Sequence, residues 1–309
     1  MQIKEKFYTN VILTGCLILL LISYVDFRRF KKLVKSNMSL LKEISDVKCE
    51  SNINLVEERA DVTNTDPRAF RAILKQSIAQ NGNVADILGV KFYVPYYPID
   101  SIQRVLVETG KFFEQDDILY ESVKYLDKDS VVLDIGANIG NHTLYWSKIL
   151  KVKKVYAFEP VTNTYEILKK NIELNSITSN NVSINNIGLG DEKIRASIVD
   201  KNYYFGLTNI GGTSIKQDND GDFNVTTLDD FMKENFKDDK IDLIKIDVEG
   251  YEYKVLVGAK ETLKKYSPVI ILECYDDHFE EVNSLLNDYG YERIKVWPNF
   301  NHVYIRIKK

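Results

Sequence analysis

The spacing of apolar positions changes character along the chain, and the change marks where its elements lie. From about residue 129 onward, short runs of aliphatic and β-branched residues alternate with stretches whose apolar positions recur every three or four residues. The runs are Val131–Leu133, Lys154–Phe158, Val182–Ile187, Ile241–Ile246 and Val269–Leu272. Runs of this length, apolar at most positions, predict buried strands. Between them, Tyr165, Leu168 and Ile172, then Val255, Leu256, Ala259 and Leu263, and then Asp276–Tyr289 closed by Gly290, have helical spacing. Tyr291–Trp297 and Val303–Ile307 flank Pro298–Asn301 and predict a closing antiparallel pair. Strand–helix alternation of this kind predicts an α/β sheet with parallel strands.

Ahead of this region the pattern is less regular. Residues 84–128 predict a small α+β pre-domain, with a hairpin over Ile87–Pro98 and helix over Ile102–Leu126 broken at Gly110. Its aromatics Tyr93, Tyr96, Tyr97, Phe112 and Phe113 suit either a core or a wall that stacks on sugars. Residues 26–83 read as a polar linker with a helical segment over Phe70–Ile78, started by Asp66–Pro67. Residues 7–25 carry no charge, long enough for a single transmembrane helix. Arg28, Arg29, Lys31, Lys32 and Lys35 follow that run, against Lys4 and Lys6 before it. The positive-inside rule then leaves the long C-terminal part facing the cytoplasm.

The chemistry concentrates at strand ends. After Val131–Leu133 come Asp134, Gly136, Asn138 and Gly140, an acid and a glycine-rich turn, with Asn141 as the expected N-cap of the next helix. Such a turn lets backbone approach a ligand, and Asp134 can pair with a cationic group over it. The spacing is not G-x-G-x-x-G, which argues against a pyrophosphate ligand. The second run ends in Glu159, placed to accept from both hydroxyls of a ribose.

Three segments, D-I-G-A-N-I-G (134–140), F-E-P (158–160) and I-K-I-D-V-E-G-Y-E (244–252), occur in this order within roughly residues 118–275 and resemble the FkbM-type methyltransferases. The resemblance implies a class I (Rossmann-like) domain over 129–309, with a seven-stranded sheet ending in the antiparallel pair and S-adenosylmethionine as cofactor. It implies that residues after the third strand, Asn186 or Gly188, line the adenine, and that Asp247 and Glu249 face the reactive methyl group. It also implies a pre-domain that covers the cofactor and shapes the acceptor pocket. The implied acceptor is a hydroxyl on a glycan, lipid-linked saccharide or small metabolite. A base for that hydroxyl is sought among Asp247, Glu249, Glu273 and His142, with Glu252 further back.

Composition narrows the partners. A net charge of −4 without a basic stripe argues against nucleic acid. Three cysteines without a C-x-x-C suggest neither a disulfide scaffold nor a zinc site. Ile198–Val225 reads as a long polar insertion, and its Asp218–Asp222 run departs from a calcium loop at the sixth and twelfth positions, so no metal ligands are assigned. Two other classes are weighed. A dehydrogenase lacks its glycine fingerprint. A non-catalytic membrane-anchored binding module would be expected to lose Asp134, Gly136, Glu159 or Asp247, and all are present.

Overall fold

The computed structural model describes residues 67–199, 215–298 and 300–307. The apolar run 7–25, most of the polar linker and Gly211–Ser214 lie outside the described residues. Among those that are described, no helix is long and apolar enough to cross a membrane.

The centre is a seven-stranded sheet. Five strands are parallel: β3 (Val131–Ile135), β4 (Lys154–Phe158), β5 (Val182–Asn185), β10 (Leu243–Ile246) and β11 (Val269–Glu273). The hairpin β12 (Tyr291–Val296) and β13 (Asn301–Arg306) completes it, with β13 antiparallel to both neighbours. The spatial order is β12-β13-β11-β10-β3-β4-β5. Every residue of β3 is buried, which is why its sequence shows no polar alternation. Val131, Leu133 and Ile135 enter one core with Ile244, Ile246, Val255 and Leu256, while Val132 enters the other with Val155, Ala157 and Leu168. From β3 the chain adds strands toward β5 on one side and, later, from β10 toward β11 on the other. Open α/β sheets form their ligand crevice where that direction reverses, here between the carboxyl ends of β3 and β10.

The pre-domain packs over this crevice through side chains that stand in for sheet edges. Its hairpin is β1 (Val84–Ile87) and β2 (Val90–Tyr93), earlier in the chain than the predicted 87–98 because Leu88 and Gly89 adopt left-handed backbone and place the turn at 88–89. Asn171 and Asn175 lie one turn apart at the end of the helix Thr162–Leu174, and they pair with the backbone of β2. Asn171 Oδ1 accepts from Tyr93 N at 2.6 Å while its Nδ2 donates to Ile139 O at 2.8 Å. Asn175 accepts from Lys91 N at 2.9 Å and donates to Lys91 O at 2.7 Å. The helix Pro67–Gln80 begins at the predicted proline, and its Arg71 is bonded to Glu108 on the helix Ser101–Thr109, which Gly110 ends in left-handed conformation. Asn141 is not the N-cap. Gly140 occupies that position, and Asn141 instead accepts from Phe113 N and donates to Phe113 O, both at 2.9 Å.

The third strand stops at Asn185 rather than Ile187, and the predicted insertion is partly a second sheet. β6 (Gly188–Leu189), β7 (Ile194–Ile198), β8 (Ile215–Gln217) and β9 (Phe223–Thr226) form four strands in the order β6-β9-β7-β8. The strands are too short, and too rich in charged and amide residues, to stand out by periodicity. Asp218 belongs to the turn between β8 and β9, accepting from Ser197 Oγ and Asp220 N. Thr227 caps the helix Leu228–Asn235, accepting from Asp230 N at 3.0 Å.

Asn171→Leu keeps the side chain's size but leaves Tyr93 N–H and Ile139 C=O without these partners. We expect a loss of about 3 kcal/mol, since each buried group left unpaired costs about 1–3 kcal/mol. The urea midpoint should fall at constant slope. An unchanged midpoint would mean that these bonds do not hold the pre-domain.

Candidate active site

A cavity of about 450 Å³ opens at the reversal between β3 and β10. One side is made by turns after successive strands: Gly136 and Asn138 after β3, Glu159 to Val161 after β4, and Ile187 to Leu189 after β5. The other is made by Asp247 to Glu249 and Tyr251 after β10, and Glu273 and Tyr275 at and after the end of β11. Ile102, Val105, Phe113, Glu114 and Asp117 of the pre-domain close over both.

The first turn is set by backbone contacts that only glycine allows. Gly136 has φ +79°, and a Cβ there would lie 1.8 Å from the carbonyl oxygen of Asp247. The turns after β3 and β10 are thus in direct backbone contact. Asn138 is also left-handed (φ +51°), and its N–H donates to Glu159 Oε2 at 3.0 Å. Glu159 Oε1 accepts from Val161 N at 2.9 Å. Both carboxylate oxygens are thereby oriented, each with a lone pair left for a ligand hydroxyl.

Among the described residues, the charged ones lining the cavity are six acids: Glu114, Asp117, Glu159, Asp247, Glu249 and Glu273. Their balancing cation lies behind the wall. Lys245, 2% exposed within β10, donates to Asp247 Oδ2 at 2.9 Å and to Gly136 O at 3.3 Å. Burial by itself would lower the Lys245 pKa, but Asp247 and Asp134 outweigh it and hold the ammonium charged. For Asp247 burial opposes ionisation, and Lys245 more than offsets it, leaving this carboxyl below its ordinary range. The neighbouring acids go the other way. Burial, then the charges of Asp247 and Glu114, push Glu273 up to about 9, and Glu273 shares a hydrogen bond with Asp247. Burial, then Asp247 and Glu252, push Glu249 up to about 7. Glu159 also reaches about 7 through burial, with the Val161 and Asn138 N–H groups opposing. At neutral pH the site therefore holds an ionised Asp247, a protonated Glu273 and two carboxyls near their midpoint.

Of the residues singled out from sequence, Gly136, Asn138, Glu159, Gly188, Asp247, Glu249 and Glu273 line this cavity. Asp134, Gly140, Asn186, His142 and Glu252 do not. Asp134 is fully buried and accepts from Thr143 Oγ1 at 2.5 Å. Gly140 is needed for packing, since a Cβ there would lie 2.5 Å from Leu168 Cδ1. Asn186 donates to the carbonyls of Glu159 and Pro160 and so braces the β4 turn. His142 is buried with its Nε2 3.3 Å from Glu114 Oε2. Glu252 accepts from Val248 N and Gly250 N, fixing the turn that carries Glu249. Phe113 alone of the suggested aromatic wall reaches the cavity; Tyr97 and Phe112 are core. Sequence reasoning missed Glu114 and Asp117, which sit in no motif, and Lys245, whose charge within an otherwise apolar strand was the available signal.

The site fits the cofactor that the resemblance implies. A cavity lined by acids suits a ligand with a sulfonium and an ammonium, and Glu159 suits a ribose diol. A volume of about 450 Å³ falls within the usual range of small-molecule sites, about 300–1,000 Å³.

Comparison with known proteins agrees. A family model described as the methyltransferase FkbM domain matches residues 134–293, just over half of the chain. Methyltransferase sdnD of Sordaria araneosa is 26% identical over 226 residues, 64% of this chain and 85% of that protein. The hexuronic acid methyltransferase AglP of Haloferax volcanii is 26% identical over 202 residues, 64% of this chain and 77% of that protein. The crystal structure of the methyltransferase FkbM from Methylobacillus flagellatus KT aligns with a TM-score of 0.43 at 20% identity, over 58% of this chain and 44% of that one.

Glu159, Glu249 and Glu273 all bind a proton more tightly in the folded chain than at the ordinary glutamate value of 4.5. Their contribution to stability is complete below that value. It is lost as pH rises through about 7 for the first two and about 9 for Glu273. Calorimetry of the ligand-free protein should show a melting temperature that falls from pH 5 to pH 9. Glu273→Gln should remove the upper part of that fall, and a curve that rises over this window would contradict the assignment.

Proposed function

The chain belongs to the FkbM methyltransferase family, and on that premise we propose that it transfers the methyl group of S-adenosylmethionine to a hydroxyl oxygen of a glycan, lipid-linked saccharide or other small metabolite. The observation that carries this reading is the cavity at the β3–β10 reversal, with Gly136 and Glu159 on one side and a graded set of carboxyls on the other. S-adenosylmethionine supplies a methyl group already activated on a sulfonium, so the protein's task is alignment and proton handling. Glu159 takes the ribose hydroxyls. Asp247, kept ionised by Lys245, faces the cationic part of the cofactor.

The acceptor hydroxyl must lose its proton as its oxygen gains the methyl group. Glu249 lines the cavity with a pKa of about 7, where a base can both be ionised and hold a proton at neutral pH. It suits this role better than Asp247, whose charge is engaged by Lys245, and better than His142, which is off the cavity wall beside Glu114. Protonated Glu273 hydrogen-bonds Asp247, which leaves its other oxygen to accept from a neighbouring hydroxyl of the acceptor while the reacting hydroxyl faces Glu249. The hexuronic acid methyltransferase among the relatives supports a saccharide as acceptor class. The uncharged run 7–25 and the cations that follow it support an enzyme tethered to a membrane with its catalytic part toward the cytoplasm.

Calorimetric titration of the full-length protein with S-adenosylmethionine should give micromolar binding. Glu159→Ala should weaken it by about 10- to 100-fold, the worth of hydrogen bonds to a charged group. Glu249→Gln should leave that affinity intact and lower turnover of any acceptor the wild type methylates by about 100-fold or more. Absence of binding by a folded sample would sink the methyltransferase reading.

A further inference from the structure

Resting on the methyltransferase reading, we infer that Tyr275, backed by Phe300, forms a platform at the cavity mouth that receives the apolar C–H face of a pyranose ring in the acceptor. The strand order separates this platform from the cofactor groups. Glu159 follows β4, whereas Tyr275 follows β11, three strands away in the order β11-β10-β3-β4. At about 4.8 Å per strand, the two turns start about 14 Å apart. Phe300 precedes β13, one strand further still. The groups fitted to the cofactor run from Gly188 through Glu159 and Gly136 to Asp247. The β11 side therefore lies beyond the sulfonium end, next to Glu249 after β10.

Folding alone gains little from this pair. Tyr275 is 41% exposed and Phe300 36%, although both carry large rings. Phe300 also has left-handed backbone (φ +62°), a conformation that suits glycine or asparagine and strains a phenylalanine. The tip that carries it is nonetheless fixed. Phe300 N–H donates to Trp297 O at 3.2 Å, and Cys274 N–H donates to Phe300 O at 3.0 Å. The next residue, Asn301, donates from its side chain to Glu114 Oε1 at 3.1 Å. The Tyr275 and Phe300 rings meet with centroids 5.2 Å apart and planes at 51°. The Tyr275 hydroxyl bonds Glu273, so this ring is held both at its hydroxyl and against Phe300. An exposed, strained and firmly held aromatic surface beside a cavity is what a ligand contact requires.

The surroundings specify a sugar. The Tyr275 ring offers apolar surface to C–H groups, and the carboxyls of Glu249 and Glu273 beside it bond hydroxyls in either protonation state. A pyranose presents both at once, a patch of C–H on one face and hydroxyls around its edge. A phenol has the face but one hydroxyl, and an open-chain polyol has hydroxyls but no rigid face. Room points the same way. The cavity of about 450 Å³ lies toward the lower end of the range for small-molecule sites, about 300–1,000 Å³, and a nucleoside joined to an amino acid takes much of it. The acceptor ring is thus left at the mouth, where Tyr275 is exposed. Of the aromatic wall expected from the pre-domain only Phe113 reaches the cavity, and the turns after β11 and before β13 supply this second one.

The test uses the full-length protein, S-adenosylmethionine and three kinds of acceptor: methyl glucoside, galactoside and mannoside, then sorbitol, then phenol. Transfer to at least one glycoside is expected, with kcat/KM about 10-fold or more above sorbitol and phenol. Tyr275→Ala should raise the KM for that glycoside by about 10-fold while S-adenosylmethionine binds as to the wild type. Tyr275→Phe keeps the ring and should hold KM near the wild-type value. Phe300→Asn suits the left-handed backbone, so it should melt normally and still raise KM. An unchanged KM in Tyr275→Ala or Phe300→Asn would overturn the inference. So would a Tyr275→Phe enzyme as impaired as Tyr275→Ala, which would assign the effect to the hydroxyl. Preference for sorbitol or phenol, or no transfer to any glycoside by protein that binds S-adenosylmethionine, would overturn it as well. Failure to bind S-adenosylmethionine at all would instead remove the methyltransferase reading beneath it.

Discussion

One buried ammonium makes this cavity possible. Lys245 lies inside β10, donating to Asp247 and to the carbonyl of Gly136, and so joins the two turns that form the crevice. Without a cation there, ionised Asp247 would stand among acids in a low dielectric, and breaking such a buried pair typically costs about 3–5 kcal/mol. With it, one carboxyl stays charged and the surrounding ones shift upward. The spread of proton affinities from Asp247 through Glu249 to Glu273 follows from burial of all three together with the charge on Asp247 that Lys245 maintains, and groups driven apart in this way can take different roles in one reaction.

The same crevice depends on close backbone approach. A Cβ at Gly136 would collide with the Asp247 carbonyl, so the turn after β3 and the turn after β10 are one construction. Asn138 then presents its N–H to Glu159, Asn186 braces the β4 turn from behind, and Glu252 holds the turn bearing Glu249. Residues that line no cavity thereby fix those that do, which is how a site keeps its geometry before a ligand arrives.

The pre-domain supplies the other half. It is fastened by amide side chains, Asn171 and Asn175 to β2 and Asn141 to Phe113, each satisfying a backbone donor and acceptor. Amides suit this task because they offer both groups without a charge to desolvate. Lys295 of β12 bonds to the buried Glu121, which Lys124 also contacts from within the pre-domain, and so ties the pre-domain to the closing hairpin.

Much of this was legible in the sequence because it depends on local pattern. Buried parallel strands are mostly apolar and their turns carry glycine and acids, so the strand–helix order and the turns at Gly136 and Glu159 follow from the pattern, while the seven-strand count and the facing of Asp247 and Glu249 follow from the family resemblance. What tertiary structure decided depends on partners far apart in sequence. Asn141 looked like a helix cap until Phe113, 28 residues away, took its side chain. His142 looked like a base until Glu114 was placed beside it. The second sheet is assembled from strands of two to five residues whose pairing no periodicity records. Glu114 itself sits in no motif, and only the folding of the pre-domain over the sheet brings it to the cavity. Sequence determined the strands and the turns at their ends, because these rest on repeating local geometry; tertiary packing decided the pre-domain wall of the cavity, because that wall is made by contacts between elements.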